Sequence, residues 1–248
     1  MIFLPGIQSQ RTLLFLIFQR QPAACLWVGW RKRHNGIKIA AMPSTVSDGG
    51  WWDKVHGGYI RSRRARILAS HLARLIPPNS RVIDIGCGDG LIASEIMKTR
   101  PDLKIKGVEV LIYKKTHIPI SLFDGAHVQV EDGSCDAAIM VDVLHHSDDG
   151  EALLREARRI AKKTIIIKDV VNDGFLADFT LRWMDRLGNE RYGVACPFNF
   201  WPQQRWQDTF TRLGLAQSSW QGRIGLYPWP AGMLFERSMH FIAAVDKP

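Results

Sequence analysis

The chain has 248 residues, a hydrophobic share of 46% and a mean hydropathy of −0.10. This profile suits one domain, with or without an extension, and argues against an integral membrane protein. The formal net charge is +9, but residues 1–41 hold six basic groups and no acidic one, which leaves 27 basic and 24 acidic groups in the rest of the chain. The remaining charge of +3 gives little support for a nucleic-acid-binding face, so we expect no nucleic-acid partner.

Residues 1–41 are interpreted as an appendage to a domain that we predict to span residues 42–248. Their apolar run, Thr12–Phe18, has seven residues, whereas a helix that crosses a bilayer needs about 20. Stable membrane insertion is therefore not expected. The composition of residues 1–41 leaves two alternatives open, which are a targeting or membrane-surface segment and a genuine part of the fold.

The four cysteines are Cys25, Cys87, Cys135 and Cys196, with no C-x-x-C pair among them. Such wide spacing excludes a cysteine-rich zinc cluster and gives no sign of a disulfide framework. We therefore expect no metal site, and we expect a reducing, cytoplasmic location.

The predicted elements alternate between helices and strands. Helices are predicted at Arg61–Ile76, Leu91–Lys98, Glu151–Lys162 and Phe175–Leu187. Strands are predicted at Arg81–Ile85, Lys104–Val110, Cys135–Val141, Thr164–Ile167 and Met239–Val245. This alternation predicts an α/β fold with a doubly wound, mainly parallel, Rossmann-like sheet and an antiparallel C-terminal strand. Ligands of such sheets bind beyond the carboxyl ends of the strands.

The first predicted strand ends in a glycine-rich loop, DIGCGDG at residues 84–90. Glycines let the backbone turn sharply and approach a ligand without a Cβ in the way, and the next helix offers free N–H groups at its start. Glu109 ends the next predicted strand, 23 residues after Gly86. A carboxylate at about this offset can accept hydrogen bonds from both ribose hydroxyls of an adenosine ligand.

Two residues favour S-adenosylmethionine over NAD or FAD as that ligand. The dinucleotide fingerprint G-x-G-x-x-G requires a third glycine where this chain has Leu91. Asp84 would repel a pyrophosphate, but it would attract a ligand that carries sulfonium and ammonium groups. An NAD-linked oxidoreductase is therefore a disfavoured alternative.

Several ordered segments resemble the class I S-adenosylmethionine-dependent methyltransferases, especially the small-molecule type known as methyltransferase type 11. These segments are VIDIGCGDG (82–90), GVEV (107–110), FDG (123–125), EDGSCDAAIMVDVLHH (131–146) and TIIIKD (164–169). The chain departs from this family between Glu109 and Asp124, where a crossover helix is predicted to be shortened or absent. It also has Cys135 in place of the usual aromatic residue.

The resemblance implies a set of cofactor-binding residues. Asp84, Gly86, Cys87 and Gly88 would line the methionine end of the cofactor. Glu109, followed by Val110, would bind the ribose side, and Asp124 with Gly125 would lie beside the adenine. Val141 and Asp142 would begin the loop under the sulfonium.

The acceptor is predicted to bind beside His145 and His146, which follow the Cys135–Val141 strand. A histidine there can deprotonate an acceptor hydroxyl or hold it by a hydrogen bond, and a structural or positioning role is the alternative. Base-amino methyltransferases of this superfamily carry N/D-P-P-Y/F where this chain has VDVLHH. A nucleic-acid acceptor is therefore not expected.

Aromatic residues are concentrated in residues 175–235, which hold 13 of the chain's 24. One predicted helical stripe consists of Phe175, Leu176, Phe179, Trp183, Met184 and Leu187. Part of this set is expected to pack on the sheet. The rest predicts a lid, at about residues 172–235, over an apolar pocket that suits a small or lipid-like acceptor methylated at O, N or C.

The sequence thus predicts an S-adenosylmethionine-dependent methyltransferase and leaves its oligomeric state open. The alternative from another class is a catalytically silent S-adenosylmethionine-binding module that acts through a partner protein.

Overall fold

The computed structural model describes residues 51–111, 113–189, 198–227, 229, 231–236 and 239–248. The predicted appendage at residues 1–41 lies outside the described residues. So do Cys196 and the two prolines of the predicted 227–230 loop.

The described residues form six α-helices and seven β-strands in one alternating order. The helices are α1 (Trp51–Leu75), α2 (Leu91–Thr99), α3 (Gly150–Ile160), α4 (Ala177–Asn189), α5 (Gln203–Arg212) and α6 (Ala231–Phe235). The strands are β1 (Arg81–Ile85), β2 (Lys104–Glu109), β3 (Ile120–Leu122), β4 (Cys135–Val141), β5 (Ala161–Val170), β6 (Ala216–Gln221) and β7 (His240–Asp246). A short 3-10 helix at Leu144–His146 follows β4.

All seven strands belong to one sheet in the order β3-β2-β1-β4-β5-β7-β6. The first five strands of the chain pair in parallel, and β7 is antiparallel to both β5 and β6. Asp84 on β1 is level with Gly107 on β2 and with Ile139 on β4, so the carboxyl ends of these strands meet at one edge. This arrangement confirms the predicted fold class.

Helices cover both faces of the sheet. On one face α1 and α2 bury Leu68, Leu72 and Ile96 against the strands. On the other face α3 and α5 bury Leu154 and Trp206. The strand β5 contributes to both faces, which explains why its TIII run lacks polar alternation.

The limits of two predicted elements differ most from the structure. The first helix begins at Trp51, ten residues before Arg61, because it continues through Gly57 and Gly58, which read as helix breakers in sequence. The strand β5 begins at Ala161, directly after α3 ends at Ile160.

The polar elements β6 and α5 were not predicted, and neither was the three-residue β3. β6 is an edge strand with the mostly polar sequence AQSSWQ, and its pairing with β7 shifts register between Gln217 and Ser219. An edge strand with few buried side chains gives little hydrophobic pattern.

Part of the predicted Phe175–Leu187 stripe was expected to pack on the sheet, and its largest described members do not. Phe175, Phe179 and Trp183 are 82%, 68% and 47% exposed, respectively. Among the α4 residues whose side chains the structure describes, the buried ones are Ala177 and Leu181.

Between β2 and β3 the described residues contain no helix, in agreement with the predicted loss of a crossover helix. In the part of the chain that the structure describes, no helix has the length and apolar character that a bilayer crossing requires.

Candidate cofactor and acceptor site

The glycine-rich turn after β1 is fixed against the end of β2. The backbone N–H groups of Gly86 and Cys87 both donate to the carbonyl oxygen of Val108, at 2.8 and 3.3 Å. Gly86 and Gly88 have φ angles of 68° and 59°, a left-handed conformation that strongly favours glycine. A Cβ on Gly86 would lie 2.6 Å from a methyl carbon of Val143. The turn therefore lies directly against the loop that follows β4.

Asp84 presents a buried carboxylate oxygen without a partner. The residue is 3% exposed, and its Oδ1 has no hydrogen-bond partner among the described residues. Burial, with a smaller contribution from the negative charge of Glu109, raises the pKa of Asp84 to about 8. A bound cation would relieve both effects, so this position fits the ammonium end of S-adenosylmethionine.

The Glu109 carboxylate accepts hydrogen bonds from two backbone N–H groups, one of them in the same loop. Its Oε2 accepts a hydrogen bond from the N–H of Gly88 at 2.7 Å, and its Oε1 accepts one from the N–H of Val110 at 2.7 Å. The structure therefore brings Glu109, Asp84 and the glycine loop together, as the sequence predicts.

Cys87 fills space in this loop rather than offering a nucleophile. Burial raises the pKa of its thiol, and the negative charges of Asp84 and Glu109 raise it further. The thiolate, which is the reactive form, is therefore suppressed. A Cβ on Gly107 would overlap the Cys87 sulfur, so the thiol packs directly on β2.

The residues predicted for the adenine side also lie together. Val110 is 50% exposed just after β2, and a Cβ on Gly125 would lie 3.4 Å from its Cγ1. Asp124 shapes this loop, because its Oδ1 accepts hydrogen bonds from the N–H groups of Ala126 at 2.9 Å and His127 at 2.7 Å. The bond from His127 is the main cause that lowers the pKa of Asp124.

The loop after β4 begins with a charge network that the sequence did not predict. Asp142 has a φ angle of 54°, and its carboxylate pairs with Lys168 on β5 and with Arg64 on α1. Its backbone N–H donates to the carbonyl oxygen of Lys168 at 2.8 Å. Burial would raise the pKa of Asp142, but the positive charges of Lys168 and Arg64 outweigh burial and hold it well below its usual range. Val141 ends β4 immediately before this network.

His145 is paired with a buried carboxylate at the end of β5. Its Nδ1 lies 2.5 Å from Oδ1 of Asp169, and the two residues are 6% and 1% exposed. The His146 ring lies 4.0 Å from the His145 ring, centroid to centroid, and the Phe200 ring lies 5.6 Å from it. The sequence predicted both histidines but not Asp169, for which the only signal was its place at the end of the TIIIKD segment.

Part of the predicted lid contacts His145. The backbone N–H of Asn199 donates to the His145 carbonyl oxygen at 3.4 Å, and Phe198 lies 6.1 Å from Phe200, centroid to centroid. Phe200 and Trp201 are buried at 9% and 1% exposure. Phe200 therefore packs beside His145, and Phe198 packs beside Phe200.

Asp142, His145 and Asp169 also offer ligand atoms that lie within 4.8 Å of one another. However, Lys168 and Arg64 already compensate Asp142, and Asp169 already binds His145. A hydrogen-bonded network accounts for this set, and we assign no metal to it.

Comparison with known proteins identifies the class. Residues 59–217 match the family model of a methyltransferase domain, which is more than half of the chain, so the chain belongs to this methyltransferase family. Together with the sheet, the family match makes the protein a class I S-adenosylmethionine-dependent methyltransferase with S-adenosylmethionine as its methyl donor.

Solved structures share the fold at low sequence identity. A chain of the complex between the Haloferax volcanii Trm112 methyltransferase activator and a methyltransferase has a TM-score of 0.61 and 14% identity, and the match covers 79% of this chain and 96% of that one. A Thermotoga maritima SAM-dependent methyltransferase has a TM-score of 0.56 and 21% identity, with coverage of 79% and 97%. The [4+2]-cyclase SpnF has a TM-score of 0.54 and 14% identity, with coverage of 74% and 81%. These neighbours show the fold, and they do not fix the acceptor.

Proposed function

We propose that the protein transfers a methyl group from S-adenosylmethionine to an oxygen or nitrogen of a small apolar or lipid-like molecule, with His145 as the general base. The observation that carries this proposal is the buried His145–Asp169 pair beside the loop that begins at Asp142. A histidine oriented by a carboxylate is suited to taking a proton from an acceptor.

We infer that Asp84 holds the ammonium end of the cofactor, with Gly86, Cys87 and Gly88 along its methionine end. Glu109 and Val110 would hold the ribose side, and Asp124 with Gly125 would border the adenine. The bound cofactor supplies an electrophilic methyl group. Val141 and Asp142 would form the floor beneath that group, because Val143 lies against the glycine turn.

The chain's contribution to the transfer is positioning and proton removal. During methylation of the acceptor, His145 would take the acceptor proton at Nε2, since its Nδ1 faces Asp169. The Asp169 carboxylate would stabilise the imidazolium that results. Holding the acceptor about 3 Å from the methyl carbon supplies most of the remaining rate enhancement.

The lining beside His145 supports an apolar acceptor. Phe200 lies next to the His145 ring, and Phe198 lies next to Phe200. The guanidinium of Arg182 lies 5.1 Å from the centre of the Phe198 ring. Aromatic side chains of this kind favour aromatic or aliphatic ligands over strongly hydrated ones.

The test measures cofactor binding and methyl transfer separately. Calorimetric titration with S-adenosylmethionine and S-adenosylhomocysteine should show binding to the wild type. A labelled-methyl assay on cell extract should place the product in the organic phase. For His145→Ala we expect methyl transfer to fall by about 100-fold or more, with S-adenosylhomocysteine affinity within about threefold of the wild type.

His71→Ala is the matched control, because His71 lies on α1 and contacts the Ile224 carbonyl oxygen at 3.0 Å. It should leave methyl transfer unchanged. If His145→Ala retains full transfer, the general-base assignment is wrong. In that case the paired variant His146→Ala decides whether the neighbouring ring takes that role.

A partner-dependent module is the second candidate function. It is favoured by the Haloferax volcanii neighbour, which comes from a complex with a methyltransferase activator. Under this alternative the pure chain binds S-adenosylmethionine but transfers its methyl group only when a protein fraction of the extract is added.

We also propose a cytoplasmic location. Its support is the wide spacing of the four cysteines, which suits a reducing compartment. Cell fractionation with the full chain tests this, and recovery in a secreted fraction would contradict it.

A further inference from the structure

The strand β5 ends with two buried charges that project to opposite faces of the sheet. Lys168 is 0% exposed and Asp169 is 1% exposed. Successive residues of a strand point to opposite faces, so this pair can hold two separate parts of a neighbouring loop. Burying either charge is costly unless it is compensated, which requires a specific set of partners for each.

Lys168 holds the first residue of the loop after β4. Its ammonium pairs with Oδ1 of Asp142, and its carbonyl oxygen accepts the Asp142 N–H at 2.8 Å. The same ammonium lies 3.3 Å from Nδ1 of His240 on β7. Asp142 has a φ angle of 54°, a left-handed conformation that is unfavourable for a residue with a Cβ. Both bonds to Lys168 offset that cost.

Asp169 holds the other end of the same loop. Its Oδ2 accepts the backbone N–H of Leu144 at 3.1 Å, and its Oδ1 lies 2.5 Å from Nδ1 of His145. Its Oδ1 also accepts the N–H of Val170 at 2.8 Å, which fixes the carboxylate on its own strand. The His145 ring is therefore anchored to the rigid sheet rather than to a loop.

Between the two anchors, Val143 lies against the cofactor turn, where a Cβ on Gly86 would come within 2.6 Å of it. Segment 142–145 thus has a cofactor end and an acceptor end. Each end is held by a different residue of β5.

We propose that Lys168 and Asp169 are positioning residues with separate tasks: Lys168 sets the cofactor floor through Asp142, and Asp169 sets the orientation of His145. This inference rests on the proposed function for the roles of the two ends. Neither residue needs to touch the cofactor or the acceptor.

The experiment compares Lys168→Met and Asp169→Asn with Thr164→Val in the full chain. Thr164 is the matched control because it lies on the same strand, is 8% exposed, and donates to Asp246 at 2.6 Å, at the far end of β5. Three quantities are measured for each variant: thermal unfolding, S-adenosylhomocysteine affinity, and the nitrogen NMR signals of His145, which report its tautomer.

For Lys168→Met we expect S-adenosylhomocysteine affinity to fall by about tenfold or more, while the His145 tautomer is unchanged. For Asp169→Asn we expect the reverse, with affinity within about threefold of the wild type and an altered His145 tautomer. In Asp169→Glu, which keeps a carboxylate, the nitrogen NMR signals of His145 should return part of the way to those of the wild type. Thr164→Val should lower the unfolding temperature and change neither site reading.

If all three variants lower only the unfolding temperature, the two residues are structural and the inference is wrong. Lys168→Met leaves Asp142 with one counter-charge fewer, so the double variant Lys168→Met/Asp142→Asn provides a charge-neutral version should the single one not fold. It should show the same loss of affinity, and wild-type affinity in it would overturn the role of Lys168.

If the wild type itself binds no S-adenosylhomocysteine, the proposed function fails. The His145 signals of Asp169→Asn still test the acceptor end.

Discussion

The ligand-binding edge of the sheet has two halves, and each half is stabilised by a different kind of contact. Around β1 and β2 the contacts are hydrogen bonds donated by backbone N–H groups of the glycine turn, such as those from Gly86 to the Val108 carbonyl oxygen and from Gly88 to the Glu109 carboxylate. Around β4 and β5 they are contacts between side chains, such as the pair of His145 with Asp169. The cofactor half therefore depends on local backbone conformation, and the acceptor half depends on the assembled fold.

The largest effect is expected from Gly86→Ala, which alters the backbone of the cofactor half. The new Cβ would meet Val143 at 2.6 Å, and alanine is strained at a φ angle of 68°. We expect S-adenosylhomocysteine affinity, measured by calorimetry, to fall by about 100-fold or more.

Gly58→Ala is the control for that substitution, because a Cβ on Gly58 in α1 would meet nothing within 4 Å. It should leave affinity unchanged and raise the helix stability slightly. Wild-type affinity in Gly86→Ala would show that the turn tolerates a side chain and would break the contrast between the halves.

A smaller loss is expected from Asp84→Asn, which keeps the shape of the site and removes its charge. A charge-assisted contact to the ligand ammonium is lost, so affinity should fall by about 10- to 100-fold. At the same time the unliganded variant should unfold at a higher temperature than the wild type at pH 9. A variant that loses both affinity and stability would contradict the role of Asp84.

The pH dependence of folding stability tests the same role of Asp84. The pKa of Asp84 is raised to about 8 in the folded state, above its unfolded value of about 3.9. Asp84 therefore contributes stability below about pH 4, and this contribution is lost as the pH rises towards about 8. Chemical unfolding of the ligand-free protein should show this slope in the wild type, and the slope should be smaller in Asp84→Asn.

Cofactor binding should show the opposite trend. Because the ligand ammonium binds the ionised carboxylate, S-adenosylhomocysteine affinity should rise between pH 6 and pH 8, by up to about tenfold per pH unit. Binding heats measured in buffers of different ionisation enthalpy should reveal the released proton. A flat profile would mean that the ligand ammonium does not bind at Asp84.

The smallest effect is expected from Arg61→Ala. Arg61 pairs with Asp89 of the glycine loop, but its side chain is 53% exposed, and exposed ion pairs contribute about 1 kcal/mol or less. Calorimetry should show less than about a threefold change in affinity. A larger change would show that surface charge contributes to the cofactor half as well.

These two halves also differ in how well the sequence predicted them. The strands β1 and β4 were predicted with the limits seen in the structure, because a buried parallel strand is a short apolar run. The glycine turn, Asp84 and Glu109 were found because their spacing in sequence reflects one strand–turn–helix unit. Structure and prediction agree where the signal is local.

Lys168, Asp169 and Arg64 were not predicted as site residues, although each contacts one that was. Lys168 and Asp142 are 26 residues apart in sequence, and Arg64 and Asp142 are 78 apart. Nothing in a linear pattern indicates which buried charge meets which. The exposure of the largest residues in the predicted Phe175–Leu187 stripe was missed for a related reason. Helical periodicity indicates an apolar face but does not indicate what covers it.

The two outermost strands of the sheet have a consequence for how the protein behaves at high concentration. β3 is only three residues long, and β6 is mostly polar with a break in its register. Short or bulged borders are poor templates for the backbone of another molecule. We therefore expect the folded domain to resist strand-by-strand aggregation, so that concentrated samples lose solubility through other surfaces first.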